Sequence, residues 1–205
     1  MSAPFGSGLP RAQDPSRIPY QLPQPAGMLP DVYLQNALDL AADEHLWVPQ
    51  AESVSFKPLV LAVSQGSYVN LLRVRKAGVL SRHRHTGPVH AFTLRGTWRY
   101  LEHDWVAQAG DYAFEPPGET HTLVIPDGVE EMVTLFHVTG GYTYVDPYGK
   151  ALGYEDVFTK LDNARRHYTG SGRWARIEAS WVVEQRVGWW ALSRGGEPWR
   201  GLRVI

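Results

Sequence analysis

His83 and His85 flank one arginine, and His121 closes a run that starts at Gly110 and passes through Pro116-Pro117-Gly118-Glu119-Thr120. Two residues apart on a β-strand, the first two imidazoles point to the same face. The third follows a Pro-Gly turn and meets them if the strands fold back on one another. Three neutral imidazoles converging on one point hold a first-row divalent metal and leave positions open for substrate. The chain has no cysteine to compete for that ion. The pattern predicts a mononuclear metal site in a small β-barrel.

Positioning such a site takes many short strands. Strand-like segments run at 59–63, 67–75, 89–94, 97–101, 111–114, 121–125 and 131–138. Gly66, Gly96, Gly110, Pro116-Pro117-Gly118 and Pro126-Asp127-Gly128 separate them with turn chemistry. Near-regular spacing of this kind predicts an all-β sandwich or barrel over residues 31–150. Asp31 is placed to cap a short helix with Leu34, Ala37, Leu38 and Ala41 on one side. A second helix is expected within 151–170, where Val157, Leu161, Ala164 and Tyr168 share a face and Gly170 ends it.

The two ends differ from the middle. Residues 1–30 carry Pro4, Pro10, Pro15, Pro19, Pro23, Pro25 and Pro30, which predicts an extended or disordered segment. That segment lacks the charged start and apolar run of a secretory signal. Residues 171–205 form an atypical tail holding Trp174, Trp181, Trp189, Trp190 and Trp199 with six arginines and no lysine. An appended or mistranslated end, or a strand pair packed on the barrel, is the reading favoured over membrane or partner binding, and no function is assigned there. No stretch approaches the ~20 apolar residues of a membrane span. A net charge of −1 provides no field for nucleic acid. Absence of cysteine excludes disulfides and fits a reducing, cytoplasmic setting.

The two histidine blocks together resemble the paired signature motifs of the cupin superfamily. The second matches from Gly110 through His121, with Ile125 in its asparagine slot. In the first, Gly78 falls one residue late. The resemblance implies a double-sheet jelly roll, or double-stranded β-helix, with short flanking helices. It also implies that His83, His85 and His121 are the metal ligands. A glutamate ligand usual in cupins would fall on Val89 or His90. Neither is a carboxylate, so a three-histidine site is expected, its uncompensated charge favouring a substrate bound as an anion.

More particular runs narrow the resemblance. These are His85-Thr86-Gly87-Pro88-Val89-His90, Gly96 through Trp105, and Phe114-Glu115-Pro116-Pro117-Gly118-Glu119-Thr120-His121-Thr122-Leu123. With Tyr144-Val145-Asp146 and Gly153 through Phe158, they look like the 2,4'-dihydroxyacetophenone dioxygenase group of cupins across residues 28–170. That likeness implies an iron(II) enzyme cleaving a carbon–carbon bond with O2, turning an aromatic α-hydroxyketone into an aromatic carboxylate and formate. Three facial histidines leave about three positions on an octahedral iron, two for adjacent substrate oxygens and one for O2. Electron transfer to oxygen calls for iron(II), although zinc, manganese or nickel could occupy the same ligands.

Supporting roles follow from residue type. His90 or His103 could accept the substrate proton, and Glu102 is an alternative base. Trp98, Tyr100, Trp105 and Phe114 are candidates for an aromatic substrate pocket, or for plain barrel core. His137 is second in rank to these, and His45 and His167 should be solvated. A homodimer or homotetramer is expected. Two other functions share the fold: a metal- or ligand-sensing module of the kind attached to anti-sigma factors, and a zinc or manganese isomerase that uses no O2.

Overall fold

The computed structural model describes residues 15–41 and 43–183. Strands β1 (Val48–Ala51), β2 (Val54–Ala62), β3 (Ser67–Val74) and β4 (Gly78–His85) come first. Then follow β5 (Val89–Arg95), β6 (Thr97–Tyr100), β7 (Ala107–Gln108) and β8 (Tyr112–Glu115). The series continues with β9 (Thr120–Ile125), β10 (Met132–Thr139), β11 (Gly141–Val145) and β12 (Ala151–Asp156). Helices α1 (Val157–Gly170) and α2 (Trp174–Trp181) lead to the two-residue strand β13 (Val182–Val183).

These strands form the jelly-roll barrel of a cupin. One sheet has the order β1-β2-β3-β10-β5-β8, with β13 also paired to β2; the other runs β12-β11-β4-β9-β6-β7. Inward side chains of both sheets, among them Phe56, Leu61, Trp98, Ile125 and Met132, make the main core. The alternating burial of β10, from Thr134 through Thr139, is the period-2 signature of a sheet with one wet face. No helix among the described residues is long and apolar enough to cross a membrane.

Three regions depart from expectation. No α-helix begins at Asp31. Asn36 takes a left-handed conformation at φ 55°, which breaks a helical run. Leu34, Ala37 and Leu40 instead pack on an outer cluster of Trp47, Leu59, Leu71 and Val133, and a 3-10 turn follows at Glu44–Leu46 under an Asp43 cap. Tertiary contact has overridden local periodicity there.

The span 151–170 is likewise not one helix. Residues Ala151–Asp156 are strand β12, paired antiparallel with β11. The helix starts only at Val157, because Asp156 and Thr159 form a reciprocal capping box. In the tail, α2 and β13 replace the expected strand pair. Ile177 is buried at 5% exposure, and Val182 pairs with Leu61. The rest of the tail, 184–205, with Trp189, Trp190 and Trp199, lies outside the described residues.

Among the described residues, those up to Asp31 form a unit separate from those that follow. Of that first unit, residues 15–31 hold one 3-10 turn at Pro15–Arg17, and their described side chains are almost all exposed.

Candidate metal centre

Strand pairing delivers the three histidines to one place. On β4, His83 and His85 have the period-2 spacing that points both inward. His121 on β9 is the direct cross-strand partner of His83. The Pro116-Pro117-Gly118 turn makes this return possible. Gly118 sits at φ +97°, a region costly for other residues, and its N–H donates to the His85 carbonyl at 2.9 Å. One ligand atom from each histidine lies within 4.8 Å of the others, and all three side chains are buried.

Each imidazole is held uncharged. Burial drives His83 well below its ordinary value, with His85 and His121 adding repulsion. Burial takes His85 down to about 4. For His121, burial and then the His85 charge bring it to about 3. Uncharged imidazole is the ligating form. His83 Nδ1 meets Ser81 Oγ at 3.1 Å, which leaves Nε2 for another partner. Both ring nitrogens of His121 and Nδ1 of His85 are buried without a hydrogen bond. Orphaned nitrogens at the focus of three rings fit a divalent metal, and His83, His85 and His121 are the residues that would hold it.

A carboxylate joins them from a direction the spacing did not indicate. Of the two positions on which the glutamate slot would fall, Val89 is fully buried on β5. Its register partner across the β5–β8 pair is Glu115. Glu115 Oε2 lies 3.4 Å from His85 Nε2 and 3.7 Å from His121 Nε2, and it has no hydrogen-bond donor. Oε1 accepts the Tyr100 hydroxyl at 2.8 Å. Burial raises the carboxyl to about 7 against the Tyr100 hydrogen bond. With the histidines uncharged near neutral pH, the His85 contact is therefore not an ion pair. Alternation within Tyr112–Glu115 could have signalled an inward Glu115.

Of the other expected site residues, Tyr100 alone lines the cavity beside the histidines, stacked on His121 at 3.7 Å between centroids. Trp98 is core, its indole N–H donating to Thr93 Oγ1 at 2.8 Å. Trp105 lies over His103 on the surface, and Phe114 is 53% exposed beside His90. Neither lines the cavity: Phe114 alternates with the inward Glu115 on β8, and Trp105 stands in the loop between β6 and β7.

His90 fails for the same reason as Phe114. It alternates with the buried Val89 and Ala91, and bonds Tyr112 outside at 2.8 Å. Glu102 is committed to Thr122, accepting its N–H at 2.7 Å and its hydroxyl at 2.8 Å. His103 contacts Glu119 at 2.9 Å, and Glu119 in turn approaches His121 Nδ1 at 3.9 Å. His103 thus borders the site without opening on the cavity.

The cavity measures about 240 Å³ and runs from His83 and His85 to the opposite sheet. Tyr142 and Tyr144 on β11 pair directly with His85 and His83. Both phenols donate to Glu155 Oε2, at 2.7 and 2.8 Å. Lys160 from α1 reaches the Glu155 Oε1 at 2.8 Å and Gln50 at 2.7 Å. Lys160 stands on the helix face of Val157, Leu161 and Ala164. A lysine in an apolar stripe was the available signal for this buried group.

Comparison with known proteins agrees with the fold. A family model described as the ChrR cupin-like domain matches residues 36–143. Among solved structures, the chain is similar to an RmlC-like cupin protein from Ralstonia eutropha, at 30% identity and TM-score 0.58, covering 62% of this chain and 83% of that one. A second cupin-like protein from that organism is 26% identical, with TM-score 0.56 and coverage of 58% and 75%. An acetylacetone dioxygenase from Acinetobacter johnsonii shares the fold at 17% identity and TM-score 0.58, covering 73% of this chain and 99% of that one. No curated protein matches the chain.

Proposed function

The chain belongs to the ChrR cupin-like family, and from that footing we propose that it is a non-haem iron(II) dioxygenase acting on a small aromatic α-hydroxyketone. The bond between the carbonyl and hydroxymethyl carbons breaks, and an aromatic carboxylate and formate leave. A ketone of the 2,4'-dihydroxyacetophenone type and O2 together hold all the atoms of 4-hydroxybenzoate and formate, so no outside reductant enters. The carrying observation is three buried, uncharged imidazoles drawn together, two of which, His83 and His85, line a ring-sized cavity, with a carboxylate oxygen left free against His85 and His121. The fold shared with an acetylacetone dioxygenase agrees with it.

Bound by the three histidines, iron(II) would supply Lewis acidity toward adjacent substrate oxygens and electrons for O2. The chain's own residues do the rest. Glu115, at about 7, is substantially ionised at neutral pH and can take the substrate's α-proton at Oε2. Tyr100 fixes that carboxyl through Oε1. Tyr142 and Tyr144, anchored on Glu155, wall the cavity beside His83 and exclude water from it.

The test is oxygen uptake by iron-loaded protein with 2,4'-dihydroxyacetophenone, against a zinc-loaded control. Uptake matched one-to-one by 4-hydroxybenzoate and formate, in the iron form only, is the expected result. Absence of uptake with iron bound would overturn it. The ChrR description of the matched family favours a second reading, a sensing module in which the metal holds a conformation and nothing is turned over. That reading gains from silence in the same assay.

A further inference from the structure

We infer that the far end of the cavity is a hydroxyl-binding subsite, with Asn70 as its specificity-determining residue. The inference deepens the dioxygenase reading and rests on it for the identity of the near end. Asn70 lies on β3, in the sheet facing the one that carries the histidines. With Tyr68 and Leu72 it occupies the inward positions of that strand, and all three line the cavity. Its side chain is 98% buried, yet Oδ1 has no hydrogen-bond partner. An unmade hydrogen bond of this kind is costly, and among the described residues the other buried side-chain atoms left without one are Trp47 Nε1 and those of His85, Glu115 and His121 at the metal centre. A ligand group that completes it explains why an asparagine is tolerated there.

The rest of the wall restricts what that group can be. Lys160, the cationic side chain among the lining residues, is neutralised by Glu155 at 2.8 Å. Tyr142 and Tyr144 have already spent their protons on Glu155, so their oxygens can only accept. Tyr100 has given its proton to Glu115. The lining also includes the neutral groups of Gln50, Tyr68 and Ser81, and a wall with no unpaired cation disfavours a carboxylate or phosphate and favours a neutral hydroxyl. Hydroxyl also suits Asn70 in either orientation of its amide, since it can donate to Oδ1 or accept from Nδ2.

Size agrees. Facing sheets stand about 10 Å apart. One aromatic ring spans that distance with a two-carbon chelating arm at the histidines and a hydroxyl para to it at Asn70. At about 240 Å³ the cavity has room for one ring and little more.

The experiment is anaerobic calorimetric titration of the full-length, zinc-loaded protein with 2,4'-dihydroxyacetophenone and with 2-hydroxyacetophenone, which differ only in the ring hydroxyl. The wild type should bind the first ~10-fold or more tightly than the second. In Asn70→Leu, which keeps the side chain's size, the ratio should fall to about one, through lost affinity for the hydroxylated ketone. Equal binding of the two ketones by the wild type, or no binding of either, overturns the subsite whatever the variant does. So does a preference that survives Asn70→Leu. Oxygen uptake by the iron form is read separately. Uptake without preference removes the subsite and leaves the dioxygenase, whereas preference without uptake does the reverse.

Discussion

Lys160→Met removes the cation from the buried cluster that props the cavity wall. In the native protein Lys160 is 2% exposed and Glu155 6%, with 2.8 Å between them. The three neutral donors to this carboxylate, Gln50, Tyr142 and Tyr144, all serve Oε2. Lys160 is the partner of Oε1, so its removal leaves that oxygen buried and bare. Removing one member of a buried ion pair costs about 3–5 kcal/mol. For a domain of this size that is a fall in Tm of roughly 6–20 °C.

The pH dependence fixes the cause. Burial pushes the Glu155 carboxyl upward, but the Lys160 charge and its hydrogen bond, with those of Tyr142 and Tyr144, hold it below the ordinary carboxylate range. A depressed carboxyl stabilises the fold above its unfolded value, about 4.3, and that contribution disappears as pH falls through the folded value. Without Lys160 burial prevails, the folded protein prefers the protonated acid, and the shortfall grows as pH rises. Urea denaturation of wild type and variant from pH 4.5 to 8 should show the gap widening toward neutrality. Glu155→Gln combined with Lys160→Met should recover most of the loss, since no charge is then left unpaired. Metal content should stay near wild type, because the three histidines that would hold it stand on β4 and β9. A loss under about 1 kcal/mol, or one of equal size at pH 5 and pH 8, would refute the argument.

His121→Ala should release most of the iron while circular dichroism stays native, whereas Glu115→Gln should retain iron and lose at least ~100-fold in turnover; iron analysis beside oxygen uptake separates the two. In metal-free protein, His85 and His121 at about 4 and about 3 must stay neutral, so stability is full above the unfolded histidine value near 6.5 and falls with pH below it. The slope approaches about 1.4 kcal/mol per pH unit for each such histidine, and a flat profile between pH 6 and pH 4.5 would contradict the burial assigned to them. Ile177→Ala, which empties a core position filled by α2, should lower stability by about 2–4 kcal/mol without changing metal content. An unaltered unfolding midpoint would show that the tail segment through residue 183 is dispensable.

What the sequence made legible depended on how locally each feature is encoded. His83 and His85 share a face by strand periodicity alone, and the Pro-Gly turn before His121 is local chemistry, so the histidine cluster and the barrel were legible in the sequence. The partner of Val89 could not. Glu115 enters the site only because β5 and β8 pair with those two residues opposite, and register between distant strands is absent from any window of sequence. The false candidates share a different cause. His90 and Phe114 were chosen by residue type, but each alternates with an inward neighbour, Val89 for one and Glu115 for the other. Choosing by chemistry before face put both on the wrong side of the sheet. The segment 31–43 failed because Asn36 and the outer cluster under Leu34, Ala37 and Leu40 outweigh helical spacing.

Among the described residues the barrel holds two buried carboxylates, Glu115 and Glu155, whose surroundings drive them in opposite directions. Glu115 faces uncharged imidazoles with one phenol as donor, and burial lifts it to about 7. Glu155 has a buried ammonium and three donors, which hold it ionised throughout the physiological range. Equal burial thus yields one group able to exchange a proton at working pH and one that is fixed. The fixed one organises Tyr142 and Tyr144 directly across from His85 and His83. The exchangeable one stands against His85 and His121 with its free oxygen turned to them. Proton transfer and wall-building are therefore separable, and Glu155→Gln should alter binding of the ring while leaving the pH dependence of turnover to Glu115. If instead Glu155→Gln moves the acidic limb of the rate profile, Glu155 shares the proton, and the division between the two carboxylates fails.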